Sequence, residues 1–124
     1  MNDITTREDI KLMVNTFYTH LQQDKELNHL FNEVAKLNWE KHLPKMYAFW
    51  ETILFHKPVF KGNPMKAHMD LDNKSPLKKE HFDSWLVIFR KTIDELFVGE
   101  LAELAKQRAA SVALSIQLNT VYKK

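Results

Sequence analysis

The stretch "HFDSWLVIFRKTIDELFVGE", residues 81–100, decides the fold class. Its large apolar residues recur three and four positions apart, which is the spacing of one buried face of an α-helix. These residues are Phe82, Trp85, Leu86, Phe89, Ile93, Leu96 and Phe97. Gly99 follows the last of them and is a natural helix terminator. The stretch therefore predicts one long amphipathic helix that ends before Gly99.

The same periodicity recurs along the rest of the chain. Further helices are predicted over residues 6–23, 24–37 (one or two short ones, with Asp24 as cap), 40–55, 65–69 and 100–121. Residues 56–64 and 70–76 are predicted as loops, with Ser75 as the N-cap and Pro76 as the first residue of the long helix. Only two glycines occur in 124 residues, which argues against a turn-rich β fold. The expected fold class is all-α, with four main helices and short connecting ones.

Composition narrows the class of protein. A chain of 124 residues fits one domain, residues 1–124, and 44% hydrophobic with 27% charged residues is a globular balance. The formal net charge of +2 comes from interspersed signs, so no nucleic-acid partner is expected. Neither a signal peptide nor a membrane-spanning run is found, which predicts a cytoplasmic protein with no membrane span. The absence of cysteine excludes zinc–thiolate and iron–sulfur sites.

Several sites that depend on sequence motifs are also excluded. The chain has no glycine-rich phosphate loop, no HExxH motif and no EF-hand loop. A carboxylate-bridged di-iron site needs two Glu-x-x-His pairs, whereas "ELNH", residues 26–29, supplies one that we expect to face water. No nucleophile-elbow sequence supports a Ser/His/Asp triad.

Four polar side chains on apolar helical faces are candidates for function: Tyr18, His42, His68 and Trp85. By spacing alone, buried neutral imidazoles bonded to the backbone are the favoured interpretation of the two histidines. The alternative is haem ligation, for which one histidine suffices because the porphyrin supplies four nitrogens. Likewise, the tyrosine and the tryptophan are either core aromatics or donors to a bound ligand. Spacing leaves both alternatives open.

Four segments taken together resemble one protein family. They are "FYTHLQQDKELNHLF" (residues 17–31), "WEKHLPKMYAFW" (39–50), "GNPMKAHMDL" (62–71) and the opening stretch. In this order they resemble the group III truncated haemoglobins, bacterial globins with a two-on-two helical arrangement. The resemblance covers residues 10–110, and the paired-glycine motifs of the other truncated groups are absent. It implies a truncated globin fold around a haem pocket.

The resemblance also implies residue roles. His68 matches the proximal haem iron ligand, Tyr18 and Trp85 match distal residues, and His42 matches the residue at the mouth of the distal pocket. The remaining pocket positions implied are Phe31, Leu43, Met46, Phe60, Phe82 and Phe89. Phe60 stands where the family leads us to expect tyrosine, which would remove one peripheral hydrogen bond.

The function that follows from the resemblance is binding of haem b (protohaem IX) and of a diatomic ligand, O2, NO or CO, or of peroxide. A crowded polar distal pocket favours redox chemistry on O2, NO or peroxide over oxygen transport, so a peroxidase-like or NO dioxygenase-like activity with an unidentified reductase is implied. The sequence assigns no enzyme class. Two alternatives stay open: a haem-based sensor or partner-binding globin, and a helical interaction domain without cofactor.

Overall fold

The computed structural model describes residues 1–123, and this part of the chain is helical with no β-strand. A π-helical segment, His29–Val34, continues directly from the second of the six α-helices. The α-helices are α1 (Arg7–Leu21), α2 (Lys25–Asn28), α3 (Trp39–Phe55), α4 (Pro64–Lys74), α5 (Lys79–Leu96) and α6 (Glu100–Asn119).

Two helix pairs build the core. Helix α1 packs on α3, α5 packs on α6, and the pairs meet where α1 crosses α5 and α3 crosses α6. Helix α6 buries mainly alanines, at positions 102, 105, 109 and 113, and such small side chains let its partners approach closely. The predicted all-α architecture, with four main helices packed as two pairs, is therefore confirmed. No helix within residues 1–123 is both long and apolar enough to cross a bilayer.

Local capping explains where the first two helices begin. Thr6 and Asp9 form a reciprocal capping box, in which the Asp9 N–H donates to Thr6 Oγ1 over 3.2 Å. Asp24 accepts the Leu27 N–H over 3.1 Å, which confirms it as the cap of α2. Each cap satisfies backbone donors that would otherwise lack a partner in the first turn.

The prediction for residues 70–76 was wrong. Helix α4 does not end at Met69 but continues to Lys74, and Ser75 is its C-cap. The polar composition of this segment suggested a loop, but most of its side chains are exposed or half-buried, so a polar helix is tolerated there. Beyond the helix, the Leu77 N–H donates to Asp72 Oδ1 over 2.7 Å, which closes the chain back on α4.

The start of the long helix also differs from the prediction. Ser75 is not its N-cap and Pro76 is not its first residue, because α5 begins at Lys79. At this end, the Lys78 N–H donates to His81 Nδ1 over 3.0 Å. His81, in the first turn of α5, thus accepts the Lys78 N–H, which Ser75 was expected to accept as the N-cap.

The N-terminal segment is fixed to the start of α6. The Asp3 carboxylate accepts the N–H groups of Leu101 and Ala102, each over 2.9 Å. Burial acts to raise the pKa of Asp3, but these and neighbouring backbone donors outweigh it and lower that pKa. Because Gly99, at φ +146°, has no Cβ, the Asp3 carboxylate can lie directly beside it.

Candidate functional site

His68 is held in one tautomer by its own helix. Asn63 caps α4 by accepting the Lys66 N–H over 3.0 Å, and Pro64 is the first helical residue. The Pro64 carbonyl lies 2.7 Å from His68 Nδ1. Because a carbonyl only accepts, Nδ1 carries the proton and Nε2 carries a free lone pair. Within residues 1–123, Nε2 has no hydrogen-bond partner.

The same imidazole is electrostatically suited to bind a metal. Burial lowers the pKa of His68, and this effect outweighs the opposing hydrogen bond to Pro64. A neutral ring with one nitrogen held by a carbonyl and the other nitrogen free is the usual arrangement of a metal-ligating histidine. The donor set therefore fits haem, which needs one axial nitrogen from the protein.

Helix α4 presents an apolar face that the rest of the protein covers only in part. None of its eleven residues is buried, although Met65, Met69 and Leu71 are half-buried beside His68. It packs only on α6 and on the π segment among its main contacts. A large flat apolar cofactor would cover such a face, and methionine adapts readily to that shape. This observation also fits haem.

Tyr18 and His42 meet although 24 positions separate them. The Tyr18 hydroxyl lies 3.0 Å from His42 Nε2, and the two ring centroids are 5.3 Å apart. Tyr18 is 9% exposed, and burial raises the pKa of its phenol further above neutral pH, so the hydroxyl carries its proton. The structure therefore brings together two of the three residues that were predicted to form the distal site.

The environment of His42 keeps its ring neutral. Burial lowers the pKa of His42, and the nearby Lys45 and His68 side chains lower it further. His42 is therefore neutral at neutral pH and can either donate or accept a hydrogen bond.

Trp85 joins this site through a shared neighbour. Its ring lies edge-on to Phe17, with centroids 5.3 Å apart, and the Phe17 ring lies 5.3 Å from that of Tyr18. Within residues 1–123 the Trp85 Nε1–H has no hydrogen-bond acceptor, whereas the Trp39 Nε1–H donates to Asn32 over 2.8 Å. The Trp85 indole is therefore the one of these two that can donate to a ligand.

The predicted lining residues of α3 and the π segment lie around the same rings. Phe31 is edge-on to Tyr18 with centroids 6.1 Å apart. Leu43 and Met46 are half-buried and pack against the core from α3, within one turn of His42. Their contact with a cofactor stays a prediction.

Phe60 is fixed against α3 from the loop that follows it. Its ring lies edge-on to Phe49, with centroids 5.2 Å apart, and its N–H donates to Thr52 Oγ1 over 3.1 Å. These two contacts hold the loop in place, although Phe60 lacks the hydroxyl of the tyrosine that the resemblance led us to expect there.

The two predicted lining residues of α5 are more deeply buried. Phe82 belongs to the core, and Phe89 is 1% exposed between Trp50 and Trp85. Its ring stacks on both indoles, with centroid distances of 5.1 Å and 5.7 Å. Phe89 therefore fixes the orientation of the Trp85 ring by stacking on it. Direct contact of Phe82 or Phe89 with a cofactor stays a prediction.

Sequence reasoning missed the part that Trp39 has in this site. Its ring centroid lies 5.2 Å from that of Tyr18 and 5.7 Å from that of His42, so it packs on both distal residues. The signal was present, since Trp39 precedes His42 by three positions and shares its helical face. Lys45 was missed in the same way, three positions beyond His42.

Comparison with known proteins agrees with this geometry. The model of the bacterial-like globin family matches residues 2–117, and the chain belongs to that family. The group 3 truncated haemoglobin ctb of Campylobacter jejuni is 30% identical over 120 residues, which cover 94% of this chain and 91% of the relative. The crystal structure of group III truncated haemoglobin from Campylobacter jejuni matches with a TM-score of 0.84 and 27% identity, over 97% of this chain and 95% of that one. The resemblance stated from the motifs is confirmed. Membership of a globin family implies a haem protein that binds diatomic gases.

Proposed function

We propose that this globin binds haem b with His68 as the axial ligand, and binds its gaseous ligand beside Tyr18, His42 and Trp85. One observation carries the proposal. His68 Nδ1 is held by the Pro64 carbonyl over 2.7 Å, which leaves Nε2 free on a half-buried apolar helix face. The meeting of the Tyr18 hydroxyl and His42 Nε2 over 3.0 Å supports a distal ligand site.

The residues of α4 orient the proximal ligand. Haem would supply an iron that reversibly binds diatomic ligands and cycles between two oxidation states. The Pro64 carbonyl fixes the rotation of the His68 ring and raises the basicity of Nε2. Met65 and Met69, one turn before His68 and directly after it, would pack against the macrocycle.

The distal residues would stabilise partial negative charge on a bound ligand. The Tyr18 phenol carries its proton at neutral pH, so its hydroxyl can donate. Trp85 offers a second donor, and a hydrogen bond of this kind contributes about 1 kcal/mol. The Tyr18 hydroxyl lies 3.0 Å from His42 Nε2, so a bound ligand and His42 would compete for that hydroxyl.

Two donors and an imidazole at one ligand exceed what reversible storage requires. Donors aimed at developing charge also polarise an O–O bond. We therefore propose redox chemistry on O2, NO or peroxide, with electrons from an external reductant, in preference to oxygen transport. Peroxidase turnover measured beside oxygen association and dissociation rates on one preparation separates the two uses.

An absorbance spectrum of the purified protein tests haem binding. We expect a strong Soret band, which His68→Gly should lose or shift and which added imidazole should restore. His29→Ala is the matched control, because His29 is exposed and bonded only to Glu33 among residues 1–123. An unchanged spectrum of the His68 variant would rule out His68 as the haem ligand. A wild-type protein that stays colourless when supplied with ample haem would refute the proposed function.

A further inference from the structure

Positive charge is concentrated in one part of the chain. Residues 36–79 hold nine lysines and four acidic residues, whereas the remaining residues hold nine basic and twelve acidic ones. This basic part comprises α3, the following loop and α4, which are the elements that carry His42 and His68. The net charge of +2 is therefore the sum of a positively charged region, residues 36–79, and a negatively charged remainder.

Four of these lysines form one surface, the lysine surface, made of Lys41, Lys45, Lys57 and Lys61. Lys41 and Lys45 are one turn apart on α3, and Phe49 continues the same row one turn further. The Phe49 ring contacts that of Phe60.

Lys57 and Lys61 come from the loop that carries Phe60. That ring contact, together with the bond from the Phe60 N–H to Thr52, anchors the loop beside the middle of α3. The loop lysines, three positions before and one after Phe60, are thereby brought to the same side of the protein as the α3 pair.

The charges of the lysine surface are available to a partner. All four side chains are exposed, and none forms an ion pair within residues 1–123. Two other lysines of the basic part are paired, Lys66 with Asp70 over 2.9 Å and Lys79 with Asp83 over 2.8 Å. The loop also presents Val59, which is 48% exposed among these lysines. A small apolar contact within a basic rim is the usual composition of a transient protein interface.

The lysine surface borders the candidate haem site. Lys45 follows His42 by three positions on α3, so the two side chains are neighbours on that helix. His42 in turn lies 3.0 Å from the Tyr18 hydroxyl. A protein docked on this surface would therefore lie beside the helix that carries the distal residue His42.

We infer that the lysine surface docks an acidic one-electron carrier protein that reduces the haem. In this step the carrier loses one electron and the ferric iron gains it to become ferrous, and no bond forms or breaks. Electrostatic steering suits such short-lived encounters, which bury less area than stable complexes. A membrane is disfavoured, because Val59 is the only exposed large apolar side chain within residues 36–79 and the apolar face of α3 packs on the core.

The inference rests on the proposed function, so haem uptake is measured first on every variant. A variant series then compares two charge reversals that each lower the net charge by six units. The first carries Lys41→Glu, Lys57→Glu and Lys61→Glu. The matched control carries Arg90→Glu, Lys91→Glu and Arg108→Glu, which are exposed and lie outside the basic region.

The probe is reduced flavodoxin, an acidic one-electron carrier, mixed with the ferric holoprotein in a stopped-flow spectrometer. We expect the second-order reduction rate of the wild type to fall with salt, and the lysine-surface variant to be slower by about tenfold or more at low salt. The control should stay within about a factor of two of the wild type, because steering depends on local charge. Backbone amide shifts in a titration with oxidised flavodoxin should concentrate in residues 41–61.

Each other result has a definite meaning. Equal slowing of both variants would attribute the effect to net charge and overturn the inference, as would no slowing of either. Binding of the wild type, but not of the lysine-surface variant, to phosphatidylserine vesicles with no response to flavodoxin would assign the surface to a membrane. Absence of a Soret band in the wild type would refute the proposed function itself. Normal haem uptake, with a reduction rate that the lysine-surface substitutions leave unchanged, would refute the docking surface alone.

Discussion

Removal of the Tyr18 hydroxyl tests the distal site most directly. Tyr18→Phe deletes a single oxygen atom, which lies 3.0 Å from His42 Nε2, and leaves the ring packed on Trp39 and Phe31. A hydrogen bond between neutral groups is worth about 0.5–1.5 kcal/mol. If the hydroxyl donates to bound oxygen, its loss should speed oxygen dissociation roughly twofold to tenfold, since 1.4 kcal/mol corresponds to a factor of about ten.

The assay is displacement of oxygen in a stopped-flow spectrometer, with the wild type and two variants measured together. The matched control is Tyr47→Phe, which removes a tyrosine hydroxyl from α3 that donates to Asn15 rather than to a distal residue. We expect the control to dissociate oxygen at the wild-type rate. If Tyr18→Phe changed the rate by less than about twofold, or no more than the control does, the hydroxyl would not act on the ligand.

Three further predictions follow from the same contacts. Trp85→Phe should also speed oxygen dissociation, by roughly twofold to tenfold, because its N–H is free within residues 1–123; an unchanged stopped-flow rate would show that the indole points elsewhere. The folded-state pKa of His42 is lowered, so the free energy of unfolding should fall as pH drops below about 6.5, and urea titrations of His42→Gln should show a smaller fall. Gly99→Ala should cost about 2 kcal/mol or more, because its Cβ would lie 2.4 Å from the Asp3 Cγ at φ +146°. Thermal melts of both variants should show a smaller cost for Gly62→Ala, because its Cβ would meet only the tip of the Phe60 ring.

The sequence predicted the helices well where each has an apolar stripe. Helices α3 and α6 were expected from residues 40–55 and 100–121 and are observed over Trp39–Phe55 and Glu100–Asn119. Asp24 was correctly expected to cap α2. These features depend on contacts within a few residues, so periodicity and capping chemistry suffice to predict them.

The errors fall where the local signal was weak. Residues 70–74 are polar and carry only Leu71 as a half-buried apolar residue, so the sequence suggested a loop. The π segment likewise shows no distinct pattern in its sequence. Both depend on tertiary packing, since α4 packs on the π segment and on α6, and no local pattern encodes these contacts.

By itself, the sequence determined that the chain is all-helical, that His68 lies on a helix opened by Pro64, and that the motifs resemble one globin group. Only the tertiary structure decided that Tyr18 and His42 meet within 3.0 Å and that Trp85 lies beside them on Phe17. The physical reason is that helical periodicity specifies which face of each helix is buried, whereas the convergence of side chains depends on how the helices cross.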